Sequence, residues 1–332
     1  MPRGATLRDV ADRVGVSPRT VSRVVNDEGG FSEVTRVRVL EAVEDLGYQP
    51  NMLARGLITH RSGTVGLVGV DMTDPFFPAM AEGIQNAARE TGRTIFFASN
   101  DGDSQRQAEV FRSLWSHAVD GVIVFPAPGT IDQLAGYARR GMPLVVVDDI
   151  VEFPNLASVS FDLEDGAVRA AQHLLATGRR RIGMIGSEIT VPRTRRRERG
   201  FYQAFESPPV GAELPELVRV QPTVSGGAAG LQKLLERRPD LDGIFAYNDL
   251  MAVGAMRAAQ ASGYRVPDDI AIVGCNDIEM SALLNPGLTT IRLDRPRLSA
   301  EAIRVLHELI EEPTSNPTPL VLPVELVIRE ST

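Results

Sequence analysis

The chain has 332 residues, a length that predicts about two domains, with at most a small appendage. Its net charge of −8 argues against a protein that coats nucleic acid, and its single cysteine, Cys275, excludes an internal disulfide. No apolar run approaches the roughly 18 residues of a membrane helix, and the N-terminus is charged where an export signal is apolar. We therefore expect a cytoplasmic protein without a membrane span.

Short helical patterns occupy the first sixty residues, which contain no strand-like run. Apolar residues at helical spacing begin at Leu7, and Gly15 ends that helix. Ser17 then supplies an N-cap, and Pro18 suits the first position of a second helix. A third helix is predicted over 32–47. Its predicted apolar face comprises Val37, Leu40, Val43 and Leu46.

The first two helices and the turn between them predict a helix-turn-helix, whose second helix enters the major groove of DNA. Arg19 and Arg23 lie four residues apart and share a face of that helix, where either can pair with guanine. The alternative is a surface helical pair whose arginines are only solvated. The residues predicted to contact bases are Pro18, Arg19, Thr20 and Arg23. The residues predicted to contact phosphates are Thr6, Ser17, Ser22 and Asn26.

From Thr64 onward, strand-like apolar runs alternate with helix-length segments. This alternation is typical of parallel sheets with helices on both faces, and about nine strands suit two doubly wound lobes better than one wide sheet. The segment from Pro50 to Ser62 joins the two parts of the chain. The predicted strands are Val65–Val70, Thr94–Ala98, Gly121–Phe125, Leu144–Val147, Ala157–Phe161, Arg181–Ile185, Gly243–Tyr247, Ile270–Gly274 and Thr289–Leu293.

Signals of catalysis and of cofactor binding are missing from the sequence. The sequence lacks the glycine fingerprints of nucleotide-binding enzymes and the G-x-S-x-G motif. Its four histidines do not have the spacing of metal ligands. The run from Gly226 to Gly230 opens a helix, where it either cradles an anion or only allows close packing. We therefore predict no enzyme, no cofactor and no metal site, with a nucleotide-dependent α/β enzyme as the alternative.

Several strings, in a fixed order along the whole chain, resemble the LacI/GalR family of bacterial repressors. TLRDVADRVGVSPRTVSRVVND resembles that family's DNA-binding headpiece, and YNDLMAVGAMRAAQASGYRVPDDIAIVGCND resembles its core. The resemblance implies a small all-α helix-turn-helix headpiece followed by an α/β core of two doubly wound parallel-sheet lobes, as in type I periplasmic binding proteins. The implied domains are a headpiece at 1–50, a hinge helix at 51–62 and an effector-binding and dimerisation core at 63–332. The first lobe is expected at 63–161 and 294–319, and the second at 162–293 and 320–332.

For DNA, the resemblance implies that the linker becomes a hinge helix in the minor groove, where a leucine from each copy wedges between bases. Leu57 is the matching leucine, and the alternative for it is an ordinary packed linker residue. Pro18 departs from the polar residue of many relatives, so base reading is expected to depend more on Arg19 and Arg23. The residues expected in the hinge and minor groove are Asn51, Ala54, Arg55 and Leu57.

For the core, the resemblance implies a ligand cleft where the strands of both lobes end. Asn276 and Leu293 stand where many sugar-binding relatives carry aspartate and glutamine, and an asparagine both donates and accepts hydrogen bonds. Apart from Arg197, the arginines between 193 and 199 are expected on a solvated face. The residues predicted to bind the effector are Asp74, Phe76, Phe77, Asp148, Asp165, Arg197, Asn248 and Asn276.

Together these features predict a sequence-specific DNA-binding repressor that acts as a homodimer on a pseudo-palindromic operator. Its small-molecule effector is expected to be a sugar or a related metabolite. The alternative is a solute-binding protein of a transporter, which would explain the core but leaves residues 1–60 without a role. The charge distribution agrees with DNA binding, because residues 1–26 carry five arginines against two acids. Residues 1–60 sum to zero, and the core carries the whole deficit of −8.

Overall fold

The computed structural model describes residues 5–48, 61–69, 72–151, 153, 156–312 and 317–332. The chain divides into two compact units, residues 1–63 and residues 64–332. The small unit is helical and the larger unit is α/β, which confirms the predicted fold class. Among the described residues, no helix combines the length and the apolar character that crossing a membrane requires.

Three helices form the small unit: α1 (Leu7–Val14), α2 (Pro18–Val25) and α3 (Glu33–Asp45). Gly15 ends α1 with a φ of 73°, a left-handed conformation that glycine adopts without steric cost. Ser17 begins α2, because its Oγ accepts a hydrogen bond from the backbone N–H of Thr20 at 3.1 Å. The buried hydrophobic core between the three helices comprises Val10, Ala11, Val14, Val21, Val24, Val39 and Ala42.

The buried face of α3 differs from the predicted one. Val37 and Leu40 are 46% and 44% exposed, whereas Val39 and Ala42 are buried against the other two helices. The guanidinium of Arg38 donates to the carbonyl oxygen of Val14 at 2.7 Å, which ties α3 to the end of α1 in this orientation. The prediction was wrong for Val37 and Leu40 because the packing of α1 and α2 determines which face of α3 is buried, whereas Val43 packs partly against the core as predicted.

Two six-stranded sheets form the two lobes of the larger unit. The strands of the first sheet are β1 (Thr64–Gly69), β2 (Thr94–Ser99), β3 (Gly121–Val124), β4 (Leu144–Val147), β5 (Ala157–Phe161) and β11 (Leu320–Leu322). The strands of the second sheet are β6 (Ile182–Ser187), β7 (Glu216–Val220), β8 (Gly243–Ala246), β9 (Ala271–Asn276), β10 (Thr289–Arg292) and β12 (Glu325–Val327). The orders are β11-β5-β4-β3-β1-β2 and β12-β10-β9-β8-β6-β7. All neighbours are parallel except the pair β10 and β12.

Helices cover both sheets, so their central strands are buried on both faces, as parallel sheets require. The helices of the first lobe are α4 (Phe76–Glu90), α5 (Ser104–Ser116), α6 (Ile131–Arg139) and α12 (Arg295–Glu311). The helices of the second lobe are α7 (Leu163–Ala176), α8 (Pro192–Gln203), α9 (Val224–Arg237), α10 (Asp249–Ala261) and α11 (Glu279–Leu283).

The last crossing between the lobes lies later in the chain than predicted. We expected the second lobe to resume at residue 320, but β11 pairs in parallel with β5 of the first sheet, with Leu320 opposite Val159 and Leu322 opposite Phe161. Pro323 follows β11, and a proline interrupts a strand because it has no backbone N–H to donate. The crossing therefore falls after Leu322.

The carboxyl ends of strands from both sheets lie at the same cleft between the lobes, which is where open α/β sheets bind ligands. Asp148 follows β4 of the first sheet, while Asn248 follows β8 and Asn276 ends β9 of the second sheet. This arrangement brings Asp148 into one cavity with Asn248 and Asn276, which follow it in the sequence by 100 and 128 positions.

Candidate functional site

The exposed start of α2 is the part of the small unit for which base contacts are predicted. Pro18 and Arg19 are exposed, whereas Thr20 and Arg23 are half-buried. The guanidinium of Arg23 lies against the turn at Gly30, where an added Cβ would collide with it. Arg19 is the more exposed of the two arginines, so it is better placed to reach a base edge.

The residues predicted to contact phosphates make local hydrogen bonds at helix ends. The hydroxyl of Thr6 donates to Asp9 Oδ2 at 2.7 Å, and the backbone N–H of Asp9 donates back to Thr6 Oγ1 at 3.3 Å. Ser17 Oγ lies 2.9 Å from Thr20 Oγ1. The amide of Asn26 donates to Ser22 Oγ at 3.3 Å. The bonds of Thr6 and Ser17 hold the N-termini of α1 and α2, where free backbone N–H groups are able to bind phosphate oxygens, whereas Asn26 lies at the C-terminal end of α2.

The predicted hinge helix lies outside the described residues. This applies to all four residues expected in the minor groove, so their role stays a prediction from the sequence. They are Asn51, Ala54, Arg55 and Leu57.

A cavity of about 120 Å³ lies between the two lobes of the core and is lined by both. It brings together seven of the eight residues predicted to bind the effector: Asp74, Phe76, Phe77, Asp148, Arg197, Asn248 and Asn276. It also contains residues that were not predicted: Phe125, Ser187, Ile189, Arg193, Pro222 and Tyr247.

Asp165 does not line this cavity, which corrects the prediction for that residue. It lies in the first turn of α7, where its carboxylate forms an ion pair with Arg169 one turn later. Its backbone N–H donates to Asp162 Oδ1 at 3.1 Å. Asp165 therefore stabilises the start of a helix, where a negative charge is favourable, and does not face the ligand.

Two arginines of α8, Arg193 and Arg196, are not on a solvated face, contrary to the prediction, whereas Arg195 and Arg199 are exposed as predicted. Arg193 lines the cavity, and Arg196 and Arg197 are 8% and 4% exposed. Arg196 reaches the other lobe, where its Nη2 donates to the carbonyl oxygen of Asp148 at 3.2 Å and to Ser160 Oγ at 3.0 Å. Positions 193, 196 and 197 share one face of a helix, and Arg193 and Arg196 reach Asp148 and Ser160 of the first lobe from it.

Aromatic rings form the apolar walls of the cavity. The rings of Phe77 and Phe125 make an edge-to-face contact with centroids 4.9 Å apart, and Gly69 of β1 lacks the Cβ that would collide with Phe77. The ring of Tyr247 lies 4.5 Å from the guanidinium carbon of Arg197. Phe125 and Tyr247 directly follow β3 and β8, so a consistent search of all strand ends would have found both.

One hydrogen bond crosses the cavity between the lobes. The amide of Asn248 donates to Asp74 Oδ2 at 3.3 Å, while Asp74 Oδ1 accepts the backbone N–H of Phe76 at 2.9 Å. Asn248 Oδ1 also accepts the backbone N–H of Met251 at 2.9 Å and thereby begins α10. The cavity therefore has a polar contact that a ligand with hydroxyl groups can replace or bridge.

Asp249, beside Asn248, organises the wall behind the cavity. Its carboxylate is 1% exposed and accepts hydrogen bonds from the backbone of Ile278 (2.9 Å), from Ser281 Oγ (2.9 Å) and from Thr290 Oγ1 (2.6 Å). Burial raises the pKa of Asp249 to about 6 against these bonds, which favour the ionised form. Asp249 thus joins α10 to the segment after β9 and to β10.

Asp149 is a second buried carboxylate, next to the cavity residue Asp148. Its side chain is 2% exposed, its Oδ1 lies 4.0 Å from Arg196 Nη2, and this oxygen accepts no hydrogen bond. Burial raises the pKa of Asp149 to about 6, although the positive charge of Arg193 opposes the shift. The folded pKa lies above the usual value of 3.8, so the folded state binds this proton more tightly and loses stability as pH rises from about 4 to 6.

We expect Asp149→Asn to raise the melting temperature at pH 7.5 by several degrees, because an amide carries no charge to desolvate. The gain corresponds to at most about 3 kcal/mol, and most of it should be lost near pH 4, where the wild-type carboxyl is protonated in the folded state and partly protonated in the unfolded state. Thermal unfolding between pH 4 and 8 checks this, with the exposed Glu236→Gln as the control. A lower melting temperature of Asp149→Asn at pH 7.5 would show that attraction to the arginines outweighs desolvation.

The helix-turn-helix unit and the two-lobed core with its interlobe cavity define a class of protein: DNA-binding regulators that respond to a small molecule. The description "bacterial regulatory proteins, lacI family" matches residues 6–51, and a periplasmic binding protein-like domain matches residues 171–332. The HTH-type transcriptional repressor PurR of Aliivibrio salmonicida is 31% identical over 328 residues, with 98% of each chain covered. The ribose operon repressor of Halalkalibacterium halodurans is 34% identical over 327 residues, covering 98% of this chain and 97% of the relative.

Solved structures agree with these sequence relatives. The lac repressor dimer bound to operator and the anti-inducer ONPF is similar with a TM-score of 0.88 and 27% identity, with 99% of each chain covered. The chain belongs to the LacI family of bacterial regulatory proteins. The predicted function as a DNA-binding transcriptional regulator is confirmed, and a solute-binding protein of a transporter is disfavoured because the DNA-binding family description covers residues 6–51.

Proposed function

We propose that this protein represses transcription as a homodimer on a pseudo-palindromic operator, and that a small molecule in the interlobe cavity controls its affinity for DNA. It acts by binding and not by catalysis, in the cytoplasm. The observation that carries the proposal is the cavity itself, which residues of both lobes line in a chain that also has a DNA-binding headpiece. The proposal assigns residues 1–50 to the headpiece and residues 51–62 to the hinge helix, as the sequence predicts.

The cavity supports control by a ligand because its polar groups come from both lobes. Asp148 belongs to the first lobe, while Arg197 and Asn276 belong to the second. A ligand that binds all three favours the arrangement of the lobes in which they are closest. It can change DNA affinity only by its differential affinity for two arrangements, typically about 1–3 kcal/mol.

The lining of the cavity favours an effector with several hydroxyl groups. Asp74 and Asp148 carry carboxylate oxygens that accept hydrogen bonds, and Asn248 and Asn276 both donate and accept them. The rings of the aromatic walls can pack against the apolar face of a sugar. One relative is named as a ribose operon repressor, and solved LacI-family structures include one with bound ribose. A sugar or related metabolite is therefore the proposed class of effector.

A groove on the edge of the first lobe is the proposed dimer contact. β2 is an edge strand, and its Phe96 and Phe97 are 47% and 42% exposed, which is unusual for large apolar side chains. A second copy is the occupant that fits, because a pseudo-palindromic operator requires two headpieces related by twofold symmetry. The lac repressor with a similar fold is a dimer on its operator. The groove is lined by Phe96, Phe97, Ala98, Val110, Ser113, Leu114 and His117.

We expect Phe96→Glu to convert the dimer to a monomer, because a carboxylate would have to be buried in the contact without a partner. The apparent dissociation constant should rise at least tenfold in sedimentation equilibrium. Val210→Glu is the matched control, because Val210 is 98% exposed in a loop between α8 and β7. Unchanged dimerisation of a folded Phe96→Glu protein would place the contact elsewhere.

The DNA part of the proposal is tested by selection from random duplex DNA with the purified full-length protein. The expected product is a two-part site whose halves are related by a twofold axis, with affinity that falls steeply as salt increases. Recovery of single, unpaired half-sites, or of no sequence preference, would contradict the proposal.

A further inference from the structure

The cavity buries guanidinium N–H groups that its carboxylates do not pair. Arg193, Arg196 and Arg197 enter the region between the lobes from α8, and the acidic residues facing them are Asp148 and Asp149. Arg193 Nε lies 3.5 Å from Asp148 Oδ2, and Arg196 Nη2 lies 4.0 Å from Asp149 Oδ1. A third carboxylate, that of the partly buried Asp74, also lines the cavity, so what is left over is unpaired guanidinium N–H groups and not a net charge.

Of these three arginines, Arg197 is the one for which the described residues supply no carboxylate within ion-pair distance. It is 4% exposed, and its neighbours are the ring of Tyr247 and the thiol of Cys275. Its Nε and Nη1 are buried and make no hydrogen bond. A buried charge of this kind is unfavourable unless something pairs with it, so the site is complete only when a ligand supplies the partner.

Arg193, on the same side of the cavity, also has an N–H group that is free to donate a hydrogen bond to a ligand. It lies one helical turn before Arg197, so both side chains leave α8 on one face. Its Nη1 is buried without a hydrogen-bond partner, and its contact with Asp148 is long for an ion pair. The other nearby acid, Asp74, already accepts hydrogen bonds from Phe76 and Asn248.

We propose that the effector carries an oxyanion, a carboxylate or a phosphate, which Arg193 and Arg197 bind together, on a hydroxylated body that the asparagines bind. This inference rests on the proposed function of the cavity. A planar guanidinium donates two parallel hydrogen bonds to a carboxylate or phosphate. An oxyanion bound by the guanidinium groups of both Arg193 and Arg197 would therefore accept hydrogen bonds from their unpaired N–H groups. A neutral sugar would leave Arg197 buried without a counter-charge.

The test compares ligands that differ only in the anionic group. The matched pairs are D-gluconate with D-glucitol, and D-glucose 6-phosphate with D-glucose, each measured by thermal shift and by calorimetry on the full-length protein. At least one anion should bind at least tenfold more tightly than its neutral partner. The pair in which the anion binds more tightly than its neutral partner identifies the oxyanion as a carboxylate or a phosphate.

Variants separate ligand binding from folding. Arg193→Gln should weaken binding of that anion at least tenfold and leave binding of the neutral partner unchanged, whereas the exposed Arg195→Gln on the same helix should change neither. Arg197→Met should also weaken binding of the anion. The melting temperature of this variant without ligand should not be lower than that of the wild type, because the substitution removes a buried unpaired charge. If Arg197 had a purely structural role, its replacement by methionine would lower that melting temperature.

Two results would overturn the inference: a neutral compound that binds as tightly as its anionic partner, or no stabilisation by either anion. The affinity of the protein for operator DNA is measured in the same samples. A neutral compound that changes operator affinity would leave the proposed function intact and remove only the anionic effector.

Discussion

Replacing Arg19 by alanine should weaken specific operator binding about a hundredfold or more without affecting the fold or the cavity. Arg19 is exposed in the first turn of α2, whereas the buried side of that helix is formed by Val21 and Val24. A bidentate contact from an arginine to guanine contributes about 1–3 kcal/mol of discrimination, and a dimer would lose it in both half-sites. The expected loss of specific affinity is therefore about tenfold or more for each half-site.

The measurement is binding of the variant to the selected operator and to a scrambled duplex of equal length. Arg8→Ala is the matched control, because it removes the same charge from an exposed position on α1. The control should weaken binding to both duplexes by a similar small factor, since it removes only a sequence-independent attraction. Equal losses on both duplexes for Arg19→Ala would show that Arg19 does not read a base.

Replacing Asp249 by alanine should cost the core at least about 3 kcal/mol of unfolding free energy. The carboxylate is buried and accepts three hydrogen bonds, from Ile278, Ser281 and Thr290, and each donor left without a partner costs about 1–3 kcal/mol. For a domain of this size the melting temperature should fall by about 6–12 °C. Urea unfolding followed by circular dichroism measures the loss.

Asp249→Asn is the matched variant and should cost no more than about 1 kcal/mol. The amide oxygen can still accept from Ile278 and Ser281, and the hydroxyl of Thr290 can rotate to accept from the amide nitrogen. The raised pKa of Asp249, about 6, agrees with this tolerance of a neutral group. Equal destabilisation by alanine and asparagine would show that the negative charge, and not the hydrogen bonds, is what the site requires.

The small unit could be predicted closely because local chemistry determines its helix ends. Ser17 and Gly15 act through hydrogen bonds and backbone angles within a few residues, so their effects are visible in the sequence. The buried face of α3 could not be predicted in the same way. Which side of that helix is buried depends on how α1 and α2 pack, and Val37 and Leu40 consequently remain exposed.

In the core, the strand-end rule predicted most of the cavity. Asp148 and Asn248 were found because the carboxyl ends of parallel strands lie at one edge of a sheet. Arg193 was missed because a run of arginines is usually solvated, and only the approach of the opposite lobe buries it. The strands β7, β11 and β12 were also missed. They lie at sheet edges, where partial exposure weakens the apolar pattern.

Coupling between the cavity and DNA is the central claim, and thermodynamic reciprocity tests it most directly. Operator affinity is measured with and without saturating effector, and effector affinity with and without saturating operator, on the same full-length protein. We predict that both affinities change by one common factor, between about 5-fold and 150-fold. An effector that binds in the cavity while operator affinity stays constant would contradict the account.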